Sequence, residues 1–424
     1  MLSIDYITNS KDDAIIGLKK RGFKNLDVLD SIIELNNNRK KIQQELDNIL
    51  FKSNTISKDI AEAFKSGNND IDIDSLKSES SNLKLKSKSL AEELDTVKIK
   101  ISDLITTVPN IPDSKVPDGL SEENNIEVFR SSNFKESGYD LKNHWDLSKE
   151  YDIIDFELGS KITGSGFPVY KGKGAKLQRA LINFFLDRNN SAGYNEFQVP
   201  HLVNSESAYA TGQLPDKDGQ MYHVINDDFY LIPTAEVPLT NIYRDKILAV
   251  DQVPIMMTGY TPCFRREAGS YGADVRGLNR LHQFDKVEIV RIEHPDKSDD
   301  ALIKMKEHIK EILTELKIDF RILNLCAGDL GFTSSITYDF EVFSKGQEKW
   351  LEISSVSNFK TYQSNRLNLK FKDKDGKNYT LHTLNGSSLA LPRVMAGLIE
   401  NNQSENGIII PDVLVPYTGF DIIN

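Results

Sequence analysis

The sequence predicts an α+β domain preceded by an antiparallel helical hairpin. Apolar or tolerated residues recur at alternating steps of four and three over two stretches of nearly equal length. Beyond Pro117 that pattern gives way to mixed segments richer in Gly, Pro and aromatic residues. A chain of 424 residues also exceeds what one hydrophobic core usually organises, so two or more units are expected.

The first seam runs through Val28, Ile32, Leu35, Arg39, Ile42, Leu46, Ile49, Ser53, Ile56, Ile60 and Ala63. After the polar segment Ser66-Gly67-Asn68-Asn69-Asp70 it resumes through Leu76, Ser80, Leu83, Ser87, Leu90, Leu94, Val97, Ile101, Leu104 and Val108. Two matched helices joined by a short polar loop read as an antiparallel coiled-coil arm, and about 38 residues at 1.5 Å rise project nearly 60 Å. Ser53, Ser80 and Ser87 dilute the seam, and Pro109, Pro112 and Pro117 end the second helix. The boundary falls near residue 115, giving an arm over 1–115 and a second domain over 116–424.

In that second domain, Phe229–Ile232 and Lys286–Val290 lean towards strand, while Ala175–Asp187 and Ala301–Leu316 carry helical patterns. Leu369–Asn378 alternates charge around a Gly turn and reads as a solvated hairpin.

Composition excludes several classes. Hydrophobic content of 39% and charged content of 27% are ordinary, and no stretch approaches the roughly 20 apolar residues of a membrane span. The first twenty residues lack a leader-like apolar run, so the chain is expected to stay in the cytoplasm. Cys263 and Cys326 are too few for a disulfide framework or a Cys-x-x-Cys zinc site, and the seven histidines form no HExxH pattern. No zinc is expected. Neither GxxxxGK[ST] nor GxGxxG occurs. The net charge of −11 argues mildly against a polyanionic partner.

The chemistry concentrates in Thr261–Val290, where two strand-like ends flank a Gly-rich loop. Alternation puts Arg265 and Glu267 on one strand face, and Phe284, Lys286 and Glu288 on another. An arginine can clamp a phosphate bidentately and a Phe face can stack on a purine, and ATP is one ligand needing both. Alone, an Arg-Arg-Glu triplet near a Phe is more simply read as surface ion pairs beside a core aromatic.

The run FRREAGSYGADVRGLNRLHQFDKVE, Phe264–Glu288, resembles motif 2 of class II aminoacyl-tRNA synthetases, specifically the seryl family. HTLNGSSLALPRVMAGLIE, His382–Glu400, resembles motif 3; Gly193-Tyr194 with Val199-Pro200 looks like motif 1. Leu231–Thr240 is similar to the family's serine-binding TAE loop, and Glu352-Ile353-Ser354-Ser355 to its metal-and-ATP segment. The family also carries an N-terminal coiled-coil arm, so the likeness spans nearly the whole chain. Gly166, Phe343, Trp350, Val356, Ser388 and Pro392 depart from its usual residues.

The resemblance implies an antiparallel β-sheet flanked by helices. It implies serine activation with ATP to seryl-adenylate and pyrophosphate, then transfer to the 3′ end of tRNA(Ser), and commonly in relatives of tRNA(Sec). By it, Arg265 holds the α-phosphate, Glu267 meets the adenine amino group, and Phe284 with Arg393 sandwiches the base, Arg393 also reaching the γ-phosphate. Arg266, Leu281, Glu352, Ile353, Ser354 and Ser355 complete the ATP contacts, with Glu352 and Ser355 placing Mg²⁺. Serine falls to Thr234, Ala235, Glu236, Arg265, Glu288, Asn385 and Ser387. Arg276, in the loop Gly269–Asn279, is a candidate contact to tRNA phosphate, and motif 1 implies a homodimer.

Two other readings account for less. A synthetase-like protein serving a carrier protein leaves the arm without a role, and a coiled-coil interaction protein leaves Arg265-x-Glu267 and the segment up to Arg393 unexplained. Leu35–Lys100 holds 12 Lys plus Arg and 11 Asp plus Glu, so the arm is near neutral in an acidic chain. Lys77, Lys84 and Lys88 lie broadly on one helix side, beside Lys86.

Overall fold

The structure, a computed structural model, describes residues 1–66, 72–131, 141–216, 218–267 and 276–424. It divides into two compact units, Met1–Lys19 with Phe23–Pro109, and Lys20–Gly22 with Asn110–Asn424. The polar segment at Gly67–Asp70 expected to join the two long helices lies outside the described residues.

The first unit contains α1 (Ile4–Asn9), α2 (Lys11–Lys20, entering the second unit at its last residue), α3 (Val28–Ser66) and α4 (Ile73–Ile105). The seam is what α3 and α4 bury: Ile42, Leu46 and Ile49 share a cluster with Leu90, Leu94, Val97 and Ile101. Glu45 pairs with Lys86 at 2.8 Å, and Lys77 lies over the Phe64 ring, so the helices run antiparallel. Asp72 caps α4, its carboxylate accepting from the Ser75 amide at 3.0 Å. The seam continues in sequence to Val108, but α4 ends at Ile105, three residues before Val108, with two threonine hydroxyls bonded back to carbonyls of the last turn. The two short N-terminal helices were not anticipated; Ile4 of α1 packs against the seam cluster.

The second unit is built on an eight-stranded sheet. In chain order its strands are β1 (Ile126–Arg130), β2 (Asn195–Glu196), β3 (Ile255–Phe264), β4 (Gln283–Glu293), β5 (Phe320–Asn324), β6 (Ile336–Ser344), β7 (Lys349–Lys360) and β8 (His382–Ala390). In space the order is β1-β5-β6-β7-β8-β4-β3-β2, antiparallel throughout except where β2 joins β3. Helices α5 (Gly172–Ser191), α6 (Ser298–Glu315) and α7 (Leu391–Asn401) bury Leu177, Phe184, Met305, Ile309, Val394 and Leu398 in one cluster with Val287, Ile289, Phe340 and Val356. Val290 and Ile292, of opposite parity on β4, belong to a second cluster with Ala235, Leu239 and Met257. The sheet therefore has apolar packing on both faces. The expected hairpin is Lys370–Lys372 against Asn378–Thr380, turned at Gly376, where φ is +82°.

Truncating a seam residue loses both transfer energy and packing. Leu94→Ala is expected to weaken the arm by about 2–5 kcal/mol, read as lost hydrogen-exchange protection across α4 in the full chain, with amides of β4 unchanged.

Candidate active site

The β3–β4 pair sets the frame. Phe284 stands opposite Cys263, and Glu288 opposite Gly259 on β3 and Ser387 on β8. The pairing extends one step beyond the strands, with the Arg265 amide donating to the His282 carbonyl at 2.9 Å. The Arg265 guanidinium lies 5.3 Å from the centre of the Phe284 ring. Glu267, in left-handed backbone at φ +50°, forms a tight ion pair with Arg280. Arg266 donates its amide to Gln220, and Leu281 is buried in the core. Of the expected loop, residues 269–275 lie outside the described residues; Arg276 stacks 4.5 Å from the Trp145 ring.

A buried polar cluster lies further along β4. The Glu288 carboxylate pairs with Lys286 at 2.6 Å and accepts from the Thr234 hydroxyl at 3.1 Å, all three groups being buried. Thr234 also accepts the Glu236 amide at 3.2 Å, which ties the turn before the short helix Glu236–Asn241 to β4. The Glu236 carboxylate accepts from the Gln363 amide at 2.6 Å. That amide is oriented by the Thr383 hydroxyl and by the Thr211 carbonyl. Burial first, then the charge of Glu288, pushes the Glu236 carboxyl up to about 7, against the pull of Gln363, Lys286 and Asn385. The two carboxylates are buried close enough to repel, and Lys286 is paired with Glu288; Asn385 and Ser387 lie on the adjoining strand.

A third group lies where β6 meets β7 and α7 begins. Ser355 donates to Asp339 and stands directly across from it, as Glu352 stands across from Glu341. Burial, then the charge of Glu352, holds the Asp339 carboxyl well above the carboxylate range despite Ser355. Glu341 is raised by burial as well, with Arg321 opposing. Arg393, in the first turn of α7, donates to the Asn279 carbonyl at 2.9 Å and the Glu352 carbonyl at 2.8 Å. Ile353 sits in the core, and Ser354 donates to the Ser387 carbonyl at 2.6 Å, joining β7 to β8. A half-exposed guanidinium, an exposed carboxylate and a hydroxyl are thus gathered at one end of the sheet.

With this geometry in hand, similarity decides the family. Residues 1–112 match the Seryl-tRNA synthetase N-terminal domain, and residues 222–402 match the tRNA synthetase class II core domain (G, H, P, S and T). A serine–tRNA ligase of Salinibacter ruber is 45% identical over 99% of this chain and 98% of its own length. The chain belongs to the seryl-tRNA synthetase family. A second relative, the serine–tRNA ligase of Thermodesulfovibrio yellowstonii, is 41% identical over the full length of both. The structure of the Pyrococcus horikoshii seryl-tRNA synthetase, complexed with ATP, superposes with a TM-score of 0.91 at 31% identity, covering 100% of this chain and 99% of that one. A serine–tRNA ligase from Naegleria fowleri in complex with AMP gives 0.86 at 26% identity over 100% and 99%. The chain is an ATP-dependent ligase that activates serine and charges tRNA with it. Among the described residues no helix is long and apolar enough to cross a membrane.

Seen as a seryl-tRNA synthetase, its departures from the family pattern are locally accommodated. Gly166 has φ +81°, and a Cβ there would come within 2.5 Å of His282. Phe343 and Trp350 pack edge to face at 5.1 Å, and Val356 is fully buried. The Ser388 hydroxyl donates to Asn189 at 2.9 Å, and Pro392 falls in the first turn of α7, where a missing N–H costs nothing. Lys286, Asp339 and Gln363 were not singled out as site residues; only the strand parity of Lys286 hinted at its place. Removing the cation from a buried pair leaves its partner uncompensated. Lys286→Met is expected to destabilise the folded chain by about 3–5 kcal/mol in urea denaturation at pH 7, far more than a surface lysine.

Proposed function

We propose that Thr234, Ala235, Glu236, Glu288, Asn385 and Ser387 hold serine, and that Arg265, Arg266, Glu267, Leu281, Phe284, Arg393 and the Glu352–Ser355 segment hold ATP. The observation carrying this reading is the burial of Glu236 within repulsive reach of Glu288, whose own charge is met by Lys286. An amino acid's ammonium offsets the unbalanced negative charge, and the Ser387 and Asn385 side chains on β8 meet a short hydroxylated side chain. Alanine is rejected because these buried polar groups lose a partner.

Residues 1–115 form the tRNA-binding arm and 116–424 the catalytic domain. The chain works as a cytoplasmic homodimer on tRNA(Ser), and on tRNA(Sec) as relatives commonly do.

In the first step the serine carboxylate attacks the α-phosphorus in line, and pyrophosphate leaves. It is already ionised, so no general base acts; the chain's work is positioning and charge neutralisation. Arg265 leaves the Phe284 face for the α-phosphate, freeing that ring for adenine, and Glu267 accepts from the adenine amino group. Arg393, at the far side of the base, neutralises the terminal phosphate.

The residues at Glu352 fit a magnesium ion rather than zinc. Asp339, Glu352 and Ser355 are hard oxygen donors, and the Asp339 carboxyl is raised first by burial and then by the charge of Glu352. Among the described residues no three His, Cys, Asp or Glu side chains converge as a metal site. When bound, Mg²⁺ neutralises charge on the phosphates. Glu352 and Ser355 hold it, and Asp339 keeps the Ser355 hydroxyl in place.

Serine-dependent ATP–pyrophosphate exchange, run with each of the twenty amino acids, tests the reading. Exchange with serine alone is expected, with Arg265→Ala lowering it by about 10²-fold or more; exchange with another amino acid would overturn the assignment of the pocket.

The Glu236 carboxyl, at about 7, must be ionised to meet an ammonium. As pH falls through 7 it takes up a proton, so the KM for serine is expected to rise by up to about tenfold per unit below that point. Glu236→Gln removes this pH dependence and weakens serine at every pH.

A further inference from the structure

Helix α7 carries Arg393 in its first turn and Glu400 seven residues later, almost two full turns on and so on the same side of the helix. Both residues reach the same short stretch of backbone, the return of the motif 2 loop into β4. Arg393 does so directly, through the Asn279 carbonyl at 2.9 Å. Glu400 does so through His144, a residue from the start of the second unit and fully buried.

The hydrogen bonds settle the state of both groups. The Leu278 amide points at the His144 Nε2 at 2.8 Å, so that nitrogen holds a lone pair and Nδ1 bears the proton. Nδ1 donates to Glu400 Oε1 at 2.7 Å, and the His144 amide donates to the same oxygen at 2.9 Å. Glu400 accepts further from Ser344, from the Gly346 amide at 3.2 Å and from Gln347 at 3.2 Å. Every contact is a donor, as a carboxylate requires. Gln347 also takes a hydrogen bond from the Asn279 side chain at 2.8 Å. Gly277 is bound into the same packing, because a Cβ on it would come within 2.2 Å of Nε2.

Three consecutive residues therefore connect to the ATP side of the site: Leu278 through its amide to His144, Asn279 through its carbonyl to Arg393, and Arg280 through its side chain to Glu267. We propose that His144, held by Glu400, is a positioning residue for ATP activation, setting the return of the motif 2 loop so that Arg393 and the Arg280–Glu267 pair stand correctly for the nucleotide. This rests on the ATP reading above. The imidazole acts as a rigid spacer with one donor and one acceptor, and it touches no substrate itself.

The serine side of the pocket has separate supports in Thr234, Lys286 and Gln363, so the consequence is selective. In pyrophosphate exchange, His144→Phe is expected to raise the KM for ATP by about tenfold and leave the KM for serine, at saturating ATP, within about twofold. His144→Gln, whose amide offers one oxygen and one NH₂, is expected to recover part of the loss. Gly277→Ala crowds Nε2 and also places a side chain in left-handed backbone at φ +65°, disturbing the same loop return, and is expected to raise the ATP KM likewise. Glu400→Gln, which keeps the shape but weakens the hold on Nδ1, is expected to do so without that backbone strain and decides the matter should His144→Phe fail to fold. Hydrogen exchange at the Leu278 amide is expected to accelerate in His144→Phe and Gly277→Ala. Folded variants with an unchanged ATP KM, or with both KM values rising together, would overturn the proposal. Arg393→Ala runs beside them: an ATP KM unmoved by that change overturns the ATP reading itself and the positioning role with it, whereas an effect in Arg393→Ala without one in His144→Phe, Gly277→Ala or Glu400→Gln sinks only the role of His144.

Discussion

Around Glu288, strand β4 has core on one face and buried charge on the other, the charged face giving way at Val290 and Ile292 to the second apolar cluster, and much of the second unit is arranged around that demand. Val287 and Ile289 are fully buried in the main cluster, while Lys286 and Glu288 between them face the buried polar cluster. In an extended chain, alternation gives that split between adjacent residues. The neighbouring strands must then stand back. Across from Glu288 is Gly259, where a Cβ would come within 2.9 Å of the Phe197 carbonyl and 3.5 Å of Leu239. The missing side chain lets the Glu236–Asn241 helix close on β4, which is what brings a second carboxylate beside Glu288.

That closeness is unfavourable in itself. Two carboxylates out of water repel and lose hydration, and one lysine compensates only one of them. The fold manages the remainder with dipoles: the Gln363 amide is aimed at Glu236 because Thr383 and the Thr211 carbonyl leave it no other satisfied orientation. Apolar residues of similar volume would make a steadier core there. A cation steadies such a pair, which is why the proposed serine ammonium suits it.

The parts legible in the sequence are those governed by local rules. Heptad spacing alone gave the arm, down to the residues buried between its helices, and parity gave the face of β4. The motif resemblance then named residues that spacing could never single out, such as Arg265 and Arg393, and their proposed roles rest on that resemblance. What stayed hidden were partners joined across long stretches of chain with no periodic signal: Gln363 and Glu236 are 127 residues apart, His144 and Glu400 are 256 apart. A lone buried histidine or glutamine has no pattern to announce it, since only the tertiary fold says what it faces. The two short N-terminal helices were missed for the opposite reason, being too brief for a periodicity to register.

The charge objection raised by the sequence has a local answer. Leu35–Lys100 holds 12 basic and 11 acidic residues, so the net −11 of the chain resides elsewhere, and an approaching polyanion meets least repulsion along the arm. The pairs that occupy its lysines are of the exposed kind: Lys86 with Glu45 at 2.8 Å and Lys77 with Asp74 at 3.5 Å, every partner at least half solvent-accessible. Exposed pairs of this sort contribute only about 0–1 kcal/mol, so these ammonium groups can turn to a phosphate at small cost. Phosphate contact in turn releases condensed counterions, a gain that no intramolecular carboxylate offers. A near-neutral arm with loosely held lysines can thus serve in the proposed contact with tRNA.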